Sequence, residues 1–181
     1  LQGEGIRQGA PSIFIRLANC NLTCNFCDTE FTSGTEYDIN DMVEVIEKYK
    51  CKDIVWTGGE PLMQLNEDIL NFFRSKKFFN CVETNGSQKL IEGFDFVTVS
   101  PKVAEHILKK NFKKKVDELK YVRKVNQSIP KPLIEAEYYF ISPMFEGNSL
   151  DKKNLLHCIK LCKDNPKWRL TIQQHKLLNI L

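Results

Sequence analysis

Five short apolar runs each end in a sharp loop motif, and this pattern limits the folds open to the chain. Ser12 to Leu17 (SIFIRL) alternates apolar and polar residues, reads as a strand, and leads into CNLTCNFC, Cys20 to Cys27. Asp53 to Trp56 leads into TGGEP (Thr57 to Pro61), and Phe78 to Val82 into ETNG (Glu83 to Gly86). Phe96 to Val99 leads into SPK (Ser100 to Lys102), and Tyr138 to Ile141 into Ser142-Pro143-Met144. Glu118 to Val122 and Trp168 to Ile172 read as further strands. Helices are expected over Asn40 to Tyr49, with Met42, Val45, Ile46 and Tyr49 at helical spacing, over Glu67 to Ser75 and over Leu150 to Asp164. Strands alternating with helices predict an α/β protein with a parallel sheet. In α/β barrels ligands gather at the C-terminal ends of the strands, so motifs placed there predict one site on one rim. The helices are too few for a complete barrel. The expected architecture is a partial, shortened (β/α) barrel with trimmed helices, one domain over residues 1–181.

Hydrophobic residues make up 42% of the chain and charged residues 27%, a balance that predicts a folded globule rather than a disordered chain. A formal net charge of +3 makes no case for direct nucleic-acid binding. No apolar run approaches the ~20 residues that span a bilayer, and no secretory signal pattern is present, so a cytoplasmic protein without a membrane partner is expected. The chain begins at Leu1 rather than Met, so a native stretch ahead of it is expected. The basic run Lys109, Lys110 and Lys113 to Lys115 reads as a solvated face.

The seven cysteines are odd in number and clustered, unlike a secreted disulfide framework. Cys20, Cys24 and Cys27 have the spacing C-x3-C-x2-C. A structural zinc site wants four ligands, and Cys51 or Cys81 would have to supply the fourth. Each stands alone beside an expected strand, where a cysteine is usually a small buried hydrophobe. Cys158 and Cys162 complete an apolar helical stripe with Leu155 and Ile159, so packing is their expected role. Alternatively, three thiolates hold a 4Fe–4S cluster and leave one iron without a protein ligand, open to an exchangeable small molecule.

C-x3-C-x2-C with an aromatic residue, Phe26, before the last cysteine resembles the signature of radical S-adenosylmethionine (SAM) enzymes, and TGGEP lies in register with it. The resemblance narrows further. LQGEG (Leu1 to Gly5), the PSIFIRL strand, CNLTCNFCDT (Cys20 to Thr29), TGGEP, ETNG, SPK, DELKYV (Asp117 to Val122) and WRLTIQQHKLL (Trp168 to Leu178) are similar, in order, to the 7-carboxy-7-deazaguanine synthase family. These enzymes serve queuosine and 7-deazapurine biosynthesis.

That resemblance implies a homodimer on a shortened radical-SAM barrel, with a 4Fe–4S cluster, SAM and Mg2+, and an external electron donor of flavodoxin or ferredoxin type. It implies a lyase reaction that contracts 6-carboxy-5,6,7,8-tetrahydropterin to 7-carboxy-7-deazaguanine and ammonia, with SAM regenerated. A 5′-deoxyadenosyl radical removes hydrogen from the carbon bearing the carboxylate. Cys20, Cys24 and Cys27 are then the cluster ligands. Phe26, Cys27, Asp28, Gly59, Ser100, Pro101, Lys102, Ser142, Pro143, Met144 and Phe145 form the SAM pocket. Thr29 is implied as a Mg2+ ligand, its other reading being a turn cap. Leu1, Gln2, Gly3, Glu4, Thr57 and Leu181 are implied at the substrate, and His175 either sits near the substrate or packs. Arg16 is suited to grip a carboxylate with its forked donors, or else forms a surface ion pair. His106 and His157 read as surface or packing residues. The chain departs from the family where Ser142 and Phe145 replace the usual Gln and Asp, where Asn179 replaces Gly, and where a strand before LQGEG is missing. A glycyl-radical activating enzyme is the alternative radical-SAM reading, and a zinc-stabilised binding module the alternative from another class.

Overall fold

The computed structural model describes residues 1–25, 27 and 29–180. Its strands are β1 (Ile13–Leu17), β2 (Asp53–Gly58), β3 (Phe79–Thr84), β4 (Phe96–Val99), β5 (Val116–Arg123), β6 (Ala136–Pro143), β7 (Phe145–Glu146), β8 (Ser149–Leu150) and β9 (Arg169–Leu170). Its helices are α1 (Ile39–Ile46), α2 (Glu67–Ser75), α3 (Glu105–Asn111), α4 (Lys152–Asp164) and α5 (Gln174–Leu177). Seven strands form one sheet in the order β1-β2-β3-β4-β5-β6-β9, every neighbouring pair parallel. β7 and β8 form a separate antiparallel hairpin. Among the described residues β1 and β9 do not pair, so the sheet is an open partial barrel.

The two faces of the sheet differ in chemistry because side chains alternate along each strand. Ile54, Trp56, Val82, Val97, Val99, Leu119, Tyr121, Tyr139 and Ile141 belong to the apolar core. α2 covers it with Leu70 and Phe73, both fully buried. Asn66 caps this helix by accepting from the Ile69 N–H at 2.9 Å. The Phe73 ring meets Trp56 edge-on at 5.1 Å and Phe78 at 5.9 Å, contacts worth about 1 kcal/mol each beyond area burial. The buried Trp56 indole N–H donates to Asn80 Oδ1 at 3.0 Å. Trp168, between Tyr121 and Tyr139 at 5.8 and 5.3 Å, closes the other end of the core. The opposite, concave face carries polar residues, among them Glu83, Thr98, Glu118 and Lys120.

Several elements differ from the sequence expectation. α1 stops at Ile46 instead of Tyr49; its buried residues are Val43 and Ile46, while Val45 and Tyr49 are exposed. The chain turns away after one short apolar face because it must reach β2 by Asp53. α3 lies where the sequence shows mainly a basic run. Leu108 is its single buried residue and no side chain caps its start, so neither periodicity nor a cap marks it. Lys109 and Lys110 fall in its last turn, where cations suit the helix dipole. Lys114 pairs with Glu92 at 2.9 Å and Lys115 with Glu137, so the basic run is a solvated, ion-paired face. β9 has two residues instead of five, since beyond it only Thr171 still reaches β6, through its N–H to Ile141 O at 3.0 Å. Cys158 is fully buried and Cys162 packs against the core, in the packing role expected of them. No helix among the described residues is long and apolar enough to cross a membrane.

Candidate active site

The cysteine loop, TGGEP, ETNG, SPK and Ser142-Pro143-Met144 all lie at the C-terminal ends of parallel strands, on one rim. The base of the cysteine loop is closed by the Asn19 N–H, which donates to Phe31 O at 2.7 Å. TGGEP is built against that base. The Gly59 N–H donates to Leu17 O at 2.8 Å and the Glu60 N–H to Asn19 O at 2.9 Å. A Cβ on Gly59 would fall 1.9 Å from Asn19 O, so the loop backbone fills the space a side chain would need. Gly59, expected at the methionyl end of SAM, therefore also seats the loop that carries the cysteines.

Cys20 and Cys24 are half-buried and Cys27 is exposed. Burial pushes the Cys24 thiol up, the Lys102 charge draws it down, and Cys27 and Cys20 push it up again. These influences put three thiols and one ammonium in a single neighbourhood. Asn85 Nδ2 donates to Cys20 Sγ at 3.8 Å, and Cys27 Sγ contacts Thr29 O at 3.7 Å. Cys51 and Cys81 are elsewhere. Cys51 contacts Pro11 O before β1 begins, and the buried Cys81 lies within β3 near Arg7, Asp53 and Asp95. Neither lies on the rim with the other three, since Cys51 precedes β2 and Cys81 sits within β3. Among the described residues no three His, Cys, Asp or Glu side chains converge as ligands of one ion must. A four-iron cluster presents a separate iron to each thiolate, so this soft donor set fits it.

The neighbouring motifs are locked to each other through Glu60, which is fully buried. Glu60 Oε1 accepts from Thr84 Oγ1 at 2.7 Å and from the Leu62 N–H at 3.1 Å; Oε2 accepts from the Asn85 N–H at 2.8 Å. Burial raises its pKa against these three hydrogen bonds. Asn21 Nδ2 donates to Ser87 Oγ at 2.9 Å, joining the cysteine loop to the segment after ETNG. SPK joins the same assembly through the Ser100 N–H to Thr84 O at 2.8 Å and the Lys102 N–H to Asn85 O at 3.0 Å. Lys102 Nζ donates to Ser100 Oγ at 2.8 Å. Pro101 is half-buried between them. Ser142 and Pro143 end β6 and are buried; Met144 donates its N–H to Arg123 O at 2.9 Å. Phe145 is buried at the start of β7 under Lys176.

The substrate residues expected from LQGEG lie on the concave face of the sheet. The Gln2 amide donates to Glu83 Oε1 at 2.8 Å. Glu4 pairs with Lys120 at 2.6 Å, their side chains 11% and 8% exposed, and accepts from Gln173 at 3.0 Å. Burial pushes the Glu4 carboxyl up, but Lys120, Gln173 and His175 more than offset this and hold it below its ordinary value. Burial opposes the charge on Lys120, yet Glu4 and Glu83 outweigh it and raise its pKa. Glu118 accepts from the Ile6 N–H at 2.7 Å, and burial pushes its carboxyl up to about 7. Arg7 closes the far end: it pairs with Asp53 and lies over the Phe79 and Phe96 rings at 5.1 and 5.6 Å, its Nε buried without a partner. The cavity left under the loop is ≈ 10 Å³, room for about one water.

His175 packs on this loop: a Cβ on Gly3 would fall 2.1 Å from its Nδ1. Thr57, buried, is the register partner of Arg16 across β1 and β2. Arg16 is exposed, its guanidinium over Phe14 at 5.6 Å, and with Leu1 it lines an open groove of ≈ 1240 Å³. Among the described residues the ion pairs do not include Arg16. Thr29 is half-buried. The next residue, Glu30, accepts from Thr32 and Ser33, and those bonds draw its carboxyl down to about 2. Phe26, Asp28 and Leu181 lie outside the described residues. His106 is exposed, and His157 Nε2 contacts Gln127 O at 2.8 Å.

Sequence reasoning passed over Glu60, Glu83, Asn85, Glu118 and Lys120. A signal for the last two was present in DELKYV. Charged residues at alternate positions, between Leu119 and Tyr121, mark a strand with one apolar and one charged buried face.

Residues 14–141 match the family model described as the radical SAM superfamily. The 7-carboxy-7-deazaguanine synthase of Bacteroides thetaiotaomicron is 34% identical over 180 residues, covering 99% of this chain and 93% of that one. The enzyme of the same name from Burkholderia multivorans is 35% identical over 206 residues, covering 99% and 94%. The crystal structure of QueE from Escherichia coli superposes with a TM-score of 0.72 over 97% of this chain and 90% of that one, at 24% identity, a likeness of fold. A superfamily built on a 4Fe–4S cluster and SAM accounts for the three-thiol loop and the motifs locked around it. With relatives this similar along nearly its whole length, the chain belongs to the 7-carboxy-7-deazaguanine synthase family of the radical SAM superfamily.

Proposed function

We propose that this chain contracts 6-carboxy-5,6,7,8-tetrahydropterin to 7-carboxy-7-deazaguanine with release of ammonia. The observation that carries the reading is the docking of LQGEG onto the concave face whose rim carries the cysteine loop. One loop is suited to cofactor and the other to substrate. When bound, the cluster and SAM supply a 5′-deoxyadenosyl radical. The chain's own task is to orient the reactants and exclude competitors.

Cys20, Cys24 and Cys27 hold the cluster. Phe26, Cys27, Asp28, Gly59, Ser100 to Lys102 and Ser142 to Phe145 surround SAM, with Phe145 contributing apolar surface where the family has a carboxylate. Thr29 gives its hydroxyl to Mg2+, an ion that prefers oxygen ligands and keeps several waters. Arg16 holds the substrate carboxylate with parallel donors. Gln2, Gly3, Glu4 and Thr57 meet the pterin, whose ring N–H groups suit the Glu4 carboxylate. Leu1 and Leu181 flank it, and His175 acts by fixing Gly3. In this reading residues 1–181 work as one domain, in a cytoplasmic homodimer reduced by a flavodoxin or ferredoxin.

The test is turnover. Reduced, cluster-reconstituted protein should convert carboxytetrahydropterin with SAM and Mg2+ to carboxydeazaguanine. A preparation with a full cluster that cleaves SAM but leaves the pterin intact would shift the reading to another radical-SAM reaction, such as activation of a glycyl-radical protein.

A further inference from the structure

Gly5 and Ile6 rest on the carboxyl group of Glu118, which projects from β5 and is 3% exposed. Its Oε2 accepts the Ile6 N–H at 2.7 Å. A Cβ on Gly5 would fall 2.3 Å from Oε1 and 2.5 Å from Oε2, so the main chain itself lies against the carboxyl. Gly5 has φ +70°, a conformation that also favours glycine. The loop has other ties, from the Gly5 N–H to Thr171 Oγ1 at 2.9 Å and from Glu4 to Lys120 at 2.6 Å. The first holds the main chain at Gly5 and the second a side chain, and the Gln174 N–H donates to Gly3 O at 3.0 Å. Glu118 holds the main chain at the next residue, with Gly5 lying against its carboxyl.

A purely packing role does not account for an acid here. A buried carboxyl costs free energy that an apolar side chain of similar volume would not. Lys120 is already engaged by Glu4, and Glu83 stands close enough to add like charge. What the acid adds is an acceptor for the Ile6 N–H, in a bond that is partly buried. We propose that Glu118 is a positioning residue: its carboxyl seats the LQGEG loop so that Gln2, Gly3 and Glu4 meet the pterin, and it thereby sets affinity for that substrate. The link to affinity rests on the function proposed above; the seating of the loop does not.

The test is hydrogen–deuterium exchange across residues 2–10 of cluster-reconstituted protein without pterin, paired with steady-state kinetics. In Glu118→Ala the Ile6 N–H loses its acceptor, and amides of this segment should exchange roughly tenfold faster. KM for carboxytetrahydropterin should rise roughly tenfold while kcat stays within about threefold. Glu118→Gln keeps an acceptor of the same shape and should return both toward the parent values. Gly5→Ala disturbs the same contact from the loop side, without touching β5, and should reproduce the exchange and KM changes. Unchanged exchange in both Glu118→Ala and Gly5→Ala would overturn the proposal. So would faster exchange with an unchanged KM. Because exchange is read without pterin, a parent protein that does not turn pterin over counts against the reaction, and the seating is still decided.

Discussion

The Thr84 hydroxyl donates to the fully buried Glu60 carboxylate at 2.7 Å, tying the turn after β3 to the turn after β2. With the Asn85 and Leu62 N–H groups, Glu60 satisfies three donors. Glu60→Ala would orphan all three and should destabilise the protein by about 3–5 kcal/mol, read as a lower urea midpoint at unchanged slope. Glu60→Gln keeps the shape and should lose less. Equal losses in the two variants would show that volume rather than hydrogen bonding matters there.

Gly59→Ala places a methyl group 1.9 Å from Asn19 O. Backbone sits at that position, so the cysteine loop itself must shift. The variant should fold with a stability loss of about 1–3 kcal/mol and assemble less cluster, measured as iron and acid-labile sulfide per chain. Parent-like cluster content would mean that the loop base tolerates displacement.

Replacing Cys20, Cys24 or Cys27 by Ala should each abolish the reduced-cluster signal in electron paramagnetic resonance. Cys51→Ala and Cys81→Ala should keep it, because both residues lie away from the rim. One zinc per parent chain without labile sulfide, after anaerobic preparation, would contradict the cluster assignment.

Thr29→Ala should weaken the dependence of turnover on Mg2+, shifting half-activation to higher metal concentration roughly tenfold. An unchanged Mg2+ titration would remove Thr29 from the metal site and leave it as a turn residue beside Glu30.

Burial raises the Glu118 carboxyl from 4.5 to about 7, against lowering by the Ile6 N–H and Lys120 and with added repulsion from Glu83 and Glu4. A raised carboxyl binds its proton more tightly in the folded state, so this group's stabilisation is complete below pH 4.5 and is lost as pH rises to 7. The unfolding free energy of the parent relative to Glu118→Gln should therefore fall by about 3 kcal/mol across that window. Glu4 acts in the opposite sense: its lowered pKa gives stability that is present above 4.5 and lost in acid. A flat difference between the parent and Glu118→Gln would mean that the carboxyl is not buried in solution.

The sheet and its rim were legible in the sequence because buried parallel strands read as apolar runs and the glycines and prolines after them read as turns. The cysteine spacing and LQGEG carried the family. α3 was hidden because a helix with one buried residue, Leu108, has no periodicity to detect. The charged interior was hidden for another reason. Lys120 and Glu118 look like surface residues until Glu4 and Ile6, more than 100 positions away, are brought onto them. His175 shows the same limit: its contact with Gly3 depends on α5 folding back over residues 1–10, which no local pattern encodes.

The loop's partners also set an order of assembly. Cys20 to Cys27 and TGGEP, ETNG and SPK lie within residues 20–102 and contact one another as soon as β1 to β4 have paired. LQGEG comes earlier in the chain but docks onto Glu118, Thr171 and Gln174, the last two more than 160 residues downstream. During synthesis the cluster loop and the turns after β2 to β4 can therefore form while the ribosome is still making the second half of the sheet, and Ser142 to Phe145 join them only with β6. The docking of LQGEG must wait for residue 174, because contacts this distant in sequence form late. A nascent chain thus has its cluster loop in place before it has anywhere to hold the molecule a radical would attack.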